Sequence, residues 1–99
     1  ALLLETIAET WAAAEATGTI PARQRALLRL AATHATTGAA RATDLMYHAG
    51  GGSAVYATSP LQRCFRDVHT VTQHMMVGAA TYELTGRFLL GLEADTSML

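Results

Sequence analysis

The sequence predicts an all-α protein, and three observations carry that reading. Apolar residues recur at spacings of three and four through every long segment, the signature of a helix with one apolar face. Alanine and leucine dominate a composition that is 51% hydrophobic, while β-branched residues other than threonine are few. Glycine and proline fall at Gly18, Pro21, Gly50–Gly52 and Pro60, so that they cut the chain into helix-length pieces. The 99 residues suit one small domain.

The first helix is expected over residues 2–17. Leu3, Leu4, Ile7, Ala8, Trp11 and Ala14 form its apolar stripe, with Glu5, Glu9 and Glu15 mostly off it. No Ser, Thr, Asp or Asn precedes Leu3 to cap a first turn, so the opening residues read as the middle of a helix whose parent chain has lost its preceding part. Gly18 suits a left-handed stop, and Pro21 suits the first turn of the next helix.

The second helix is expected over 21–49, with Leu27, Leu28, Ala31, Ala35, Ala39, Ala42, Leu45, Met46 and Ala49 on its buried side. Much of that side is small, with Gly38 beside it, which lets a neighbouring helix approach closely. Gly50-Gly51-Gly52-Ser53 then breaks the helix, because three glycines raise the entropic cost of continuing it.

After a short apolar stretch, Ala54–Ala57, the third helix is expected over 60–74. Ser59 reads as its N-cap, Pro60 as its first residue and Gln62 as the partner in a capping box. Leu61, Cys64, Phe65, Val68, Val71 and Met75 make its inner face. A fourth helix is expected over 76–91, through Ala80, Leu84, Phe88 and Leu89 to a stop at Gly91. The pattern leaves open whether the third and fourth helices are continuous, kinked or broken near His74–Gly78.

Charge and composition exclude several classes. A formal charge of -1 gives no electrostatic case for nucleic acid or an acidic membrane as partner. No run of 18 apolar residues exists to span a bilayer. The single cysteine, Cys64, forbids an internal disulfide and suits a reducing cytoplasm. All seven basic residues are arginine, which we read as coding bias.

The residues that could carry chemistry are few. His69 and His74 lie five apart, which turns their rings roughly 140° away from each other on a helix, so no zinc pair is expected there or with Cys64. His74 is the stronger candidate because of its place at the possible break; the structural alternative is a histidine bonded to a backbone carbonyl. Arg63 and Asp67 read as a helix-surface ion pair contributing a few tenths of a kcal/mol. Met46, Met75 and Met76 read as core filler before they read as a ligand pocket. The Gly50–Ser53 loop could cradle a phosphate through free N–H groups, but without a P-loop lysine or a preceding strand a helix-stopping turn is the better explanation.

Ala49-Gly50-Gly51-Gly52, Ser59-Pro60-Leu61-Gln62-Arg63, Arg66-Asp67-Val68-His69-Thr70 and Gln73-His74 together resemble the C-terminal domain of the acyl-CoA dehydrogenase superfamily. The closing histidine is similar to that of its flavin-dependent monooxygenase branch, which holds the oxygenase components of two-component aromatic hydroxylases. The match runs over about residues 20–92. It implies part of an up-down four-helix bundle, with the first long bundle helix and two earlier domains lying outside this chain.

The resemblance further implies a homo-oligomer, usually a tetramer, and a reduced flavin, FMN or FAD, supplied by a separate reductase. Oxygen is then transferred to a small apolar or aromatic substrate. It makes His74 the catalytic candidate, facing the flavin's reacting edge, where an imidazole can donate a hydrogen bond or accept a phenolic proton. Gly51, Gly52 and Ser53 become cofactor-binding candidates, toward the flavin of an adjacent subunit. The sequence departs from the dehydrogenases themselves, in which a glutamate base often follows the Arg-Asp pair by about eight residues. Here that neighbourhood reads His74-Met75-Met76, with no carboxylate to remove an α-proton. A dehydrogenase with its base elsewhere and a non-catalytic oligomerisation module are the two other readings.

Overall fold

Alanine- and leucine-rich segments fold as expected, into four α-helices. In the computed structural model, which describes residues 1–56 and 58–99, these are α1 (Leu2–Thr17), α2 (Ala22–Ala49), α3 (Pro60–Val71) and α4 (Ala80–Leu89). Short 3₁₀ turns occupy Gly51–Val55 and Thr96–Met98, and no strand occurs among the described residues.

Local chemistry sets most boundaries. Gly18 adopts φ 75°, a conformation that costs an L-residue energy, and its N–H closes on Ala14 O at 2.8 Å. Pro21 lies one residue outside α2, where its carbonyl takes the first helical bond from Arg25 N at 3.0 Å. Gly91, at φ 75°, ends α4: Gly91 N donates to Phe88 O at 3.1 Å and Leu92 N to Arg87 O at 2.9 Å, the paired bonds of a Schellman cap. Beyond it Asp95 accepts from the Ser97 hydroxyl at 2.6 Å and the Ser97 N–H at 3.0 Å, and these bonds hold its carboxyl below the ordinary carboxylate range. The apolar stretch after the glycines begins within the Gly51–Val55 turn, and Ala57 lies outside the described residues.

Three expectations need correction. The capping box does not form, because Ser59 N already donates to Tyr56 O at 2.9 Å and has nothing left for Gln62. The Gln62 Oε1 is buried without a partner, and Pro60 alone marks the helix start. Next, α3 stops at Val71 instead of residue 74, and α4 begins at Ala80 instead of 76. Bonds to the third residue back, from Gln73 N to Thr70 O and from His74 N to Val71 O, tighten the chain out of the α-helix. Gly78 then folds over the end: a Cβ there would lie 3.3 Å from His74 O.

The third correction concerns which faces are buried. α2 is the spine, and α1, α3 and α4 all pack on it. Gln24 meets Thr10 at 3.1 Å and Asp44 meets His69 at 2.6 Å, so α1 and α3 both run antiparallel to α2, as an up-down bundle requires. The seams are lined by small residues: Thr6 and Thr10 of α1, Ala26, Arg29, Ala31, Thr33 and Ala40 of α2, and Thr81 and Thr85 of α4. Thr6, Thr10, Thr33 and Thr85 each donate to the carbonyl four residues back at 2.7–2.9 Å, so that each buried hydroxyl proton is satisfied within its own helix.

Ala31 is the one member of the expected α2 face that is fully buried. Leu27, Leu28 and Ala35 are half-buried, while Ala39, Ala42, Leu45, Met46 and Ala49 are exposed. On α1 the apolar stripe faces outward, with Leu4 67% and Trp11 68% exposed. On α3, Leu61, Phe65 and Val68 turn partly inward, and Cys64 and Val71 do not. The three methionines read as core filler, Met46, Met75 and Met76, are all exposed.

The molecule is a slab of 52 × 28 × 17 Å, thin enough for two helix layers in its shortest dimension. Its radius of gyration, 16.8 Å, exceeds the roughly 13 Å of a compact domain this long. No helix among the described residues is long and apolar enough to cross a membrane. Exposed contiguous apolar surface drives association, so the 99-residue chain by itself is expected to self-associate. Sedimentation should show dimers or larger species at micromolar concentration, and a stable, well-folded monomer would contradict this.

Candidate functional site

The site is built where α3 ends. The α2–α3 seam there is aromatic: Tyr47 packs on Phe65 and Phe65 on His69, each with ring centroids 4.6 Å apart. His69 Nε2 bonds Asp44 Oδ1 at 2.6 Å, which fixes the imidazole against α2. Past Val71 the helical ladder gives out, and residues 72–79 pass through turns that carry His74 out of line with α3. His74 and His69 are therefore not two faces of one helix, as a helix reaching 74 would have made them.

His74 is exposed, and its ring is nonetheless set by the backbone. Met76 N donates to His74 Nδ1 at 3.1 Å. A backbone N–H can only donate, so Nδ1 is an acceptor and the neutral ring carries its proton on Nε2. The carbonyl of His74 takes the Val77 N–H at 3.0 Å, closing a tight turn around the same residue. His74 is thus bonded by a backbone amide; the carbonyl-bonded alternative considered for it does not occur among the described contacts.

A cavity of about 670 Å³ opens beside this turn, lined by His74, Met75, Val77 and Leu84 with Thr72 and Gln73. His69 and Arg29 also reach it. No Asp or Glu lines it among the described residues. A volume of that size is ordinary for a small-molecule site.

Arg29 is a residue of this site that sequence reasoning missed. It is only 8% exposed, in the N-terminal third of α2, and its Nη2 donates to Met75 O at 2.8 Å and its Nε to Met76 O at 3.4 Å. The available signal was an arginine set among Leu27, Leu28, Leu30 and Ala31, on a stretch that has to face other helices.

Gly51, Gly52 and Ser53 lie elsewhere. They sit in the 3₁₀ turn between α2 and α3, exposed, with open space where a Cβ of Gly51 or Gly52 would stand. Ser53 Oγ donates back to Gly50 O at 2.8 Å. Twelve residues of α3, roughly 18 Å of helix, separate this turn from His74. One copy of the chain does not bring the two candidate regions together.

The other two histidines and the Arg63–Asp67 pair form no site among the described residues. His34 and His48 are exposed on other parts of α2. Among the described residues no three His, Cys, Asp or Glu side chains approach closely enough to hold a metal. Arg63 and Asp67 make no ion pair, in keeping with the side-chain entropy that an exposed pair has to overcome.

A long small-residue spine with antiparallel partners, a glycine turn at one end of α3 and a histidine turn at the other, define a helical-bundle domain that leaves large apolar faces uncovered. The chain belongs to the acyl-CoA dehydrogenase C-terminal domain family, whose profile matches residues 1–79. That match takes in α1, which the motif-based resemblance over 20–92 left out. The chain is 35% identical over 91 residues to an indole-3-acetate monooxygenase of Pseudomonas putida, covering 92% of this chain and 23% of that protein. It is 38% identical over 72 residues to an indole-3-acetate monooxygenase of Acinetobacter baumannii, covering 73% of this chain and 18% of that one. The chain thus spans about a fifth of the length of these curated relatives.

Proposed function

We propose that this chain is the C-terminal helical part of a flavin-dependent monooxygenase that hydroxylates a small aromatic substrate, with indole-3-acetate the first to try. The observation that carries the reading is His74. It stands on the motif that resembles the oxygenase branch, its Nδ1 accepts from Met76 N–H, which leaves the neutral ring's proton to Nε2, and it lines a cavity with no Asp or Glu among its described residues. Similarity to two proteins named indole-3-acetate monooxygenase supplies the substrate class.

Reduced flavin, FMN or FAD, when bound to the whole protein, would supply two electrons for splitting O₂, one atom going to substrate and the other to water. The residues of this chain fit a supporting role toward it. His74 would donate its Nε2 proton as a hydrogen bond to reacting oxygen, or relay a proton at that atom. Met75, Val77 and Leu84 would keep water from the substrate's apolar side. Gly51, Gly52 and Ser53 would serve a flavin bound to a neighbouring copy, since α3 separates them from His74. The enzyme would work as a homo-oligomer, a tetramer, in the cytoplasm, with a separate flavin reductase. The absence of an Asp or Glu from the described cavity lining weighs against α-proton abstraction from an acyl thioester.

The test uses the full-length protein with chemically reduced FMN or FAD, ¹⁸O₂ and indole-3-acetate. One labelled oxygen atom in the product is the expected result. Unsaturated product from an acyl-CoA, with no hydroxylation of any aromatic acid, would replace this reading with the dehydrogenase one.

A further inference from the structure

We propose that Arg29 is a positioning residue for His74, acting through the peptide bond between Met75 and Met76; the catalytic part of this inference rests on the monooxygenase reading. A buried guanidinium has to find acceptors, and the carbonyls within a helix are already engaged. The break between α3 and α4 supplies free ones. Arg29 Nη2 donates to Met75 O at 2.8 Å, and Nε donates to Met76 O at 3.4 Å.

Met75 C=O and Met76 N–H belong to one peptide unit. That unit is planar, and none of the described peptide bonds is cis, so its C=O and N–H point in opposite directions. One end is therefore held by Arg29 at 2.8 Å, and the other donates to His74 Nδ1 at 3.1 Å. The guanidinium, the peptide and the imidazole form a three-part relay from the N-terminal third of α2 to the candidate catalytic ring. A cation on the carbonyl polarises the amide and strengthens its N–H as a donor. Arg29 thereby fixes both the orientation of His74 and the tautomer that leaves the proton on Nε2.

The experiment uses the full-length protein carrying Arg29→Met, which keeps the length and apolar packing of the stem, and Arg29→Lys, which keeps a cation able to reach one carbonyl at a time. The first readout, hydrogen exchange of the Met76 amide without flavin, needs no activity. Arg29→Met should speed it about tenfold, the scale of one lost hydrogen bond, while α1 exchanges as in wild type. The second readout is product formed per reduced flavin consumed. Arg29→Met should approach His74→Ala, the double variant should lose nothing further, and Arg29→Lys should fall between Arg29→Met and wild type. Unchanged Met76 exchange in Arg29→Met, additive losses in the double variant, or a lysine variant as impaired as the methionine one would each overturn the proposal. If His74→Ala hydroxylates normally, the functional reading fails by itself, and Met76 exchange still decides whether Arg29 holds this turn.

Discussion

His74→Ala in the full-length enzyme should cut hydroxylation by about 10²–10⁴-fold, the usual contribution of one positioned acid–base or hydrogen-bonding group. Affinity for reduced flavin should change little. His74 is an exposed side chain on a turn, and the binding energy of a flavin comes from contacts to a phosphate and a large ring that one imidazole cannot dominate. Oxygen should still be consumed, with hydrogen peroxide released in place of product. Flavin titration, product yield and peroxide yield on the same preparation separate the two effects. His69→Ala is the comparison, at a second histidine that reaches the same cavity but is held by Asp44. Its imidazole is committed to Asp44 at 2.6 Å and to the ring of Phe65, and His69 and Asp44 are each about two-fifths exposed. Its removal should therefore cost at most about 1 kcal/mol of stability and leave hydroxylation within a few-fold. Hydroxylation within about twofold of wild type in His74→Ala would make His74 a purely structural histidine.

Ala26→Leu should destabilise the 99-residue chain by about 1–3 kcal/mol, and Ala42→Leu by no more than about 0.5 kcal/mol. Ala26 is 0% exposed, on the stripe that continues through Arg29, Thr33 and Ala40. Three added carbons at that seam have to push a neighbouring helix off α2. Ala42, on the face that apolar periodicity marks as buried, is exposed and has room. Thermal unfolding at equal protein concentration should show a fall of at least about 5 °C for Ala26→Leu, given 4–8 °C per kcal/mol in a domain this small. Equal shifts for the two variants would mean that α2 is buried on the side its apolar residues mark.

Periodicity determines that residues are helical, because a repeat near 3.6 is a property of the chain alone. Glycine determines where α1 and α4 stop, because Gly18 and Gly91 need only their own φ of 75° to end a helix. Both could be read in advance, and a motif, being a string of residues, could nominate His74. Tertiary structure decided the rest. Thr6, Thr10, Thr33 and Thr85 became the interior because their hydroxyls bond their own helices and so need no partner across the seam. Leu4, Trp11 and Leu45 stayed outside because burial of an apolar side chain requires a neighbour, and nothing among the described residues covers those faces. The capping box failed because Tyr56 took the donor that Gln62 needed. Arg29 meets Met75 and Met76 across 46 and 47 residues of sequence, a contact no local pattern carries. The sequence by itself determined the helices and nominated the histidine; only the packing of α2 against the break after α3 decided how that histidine is held, because a hydrogen bond depends on where two groups meet in space.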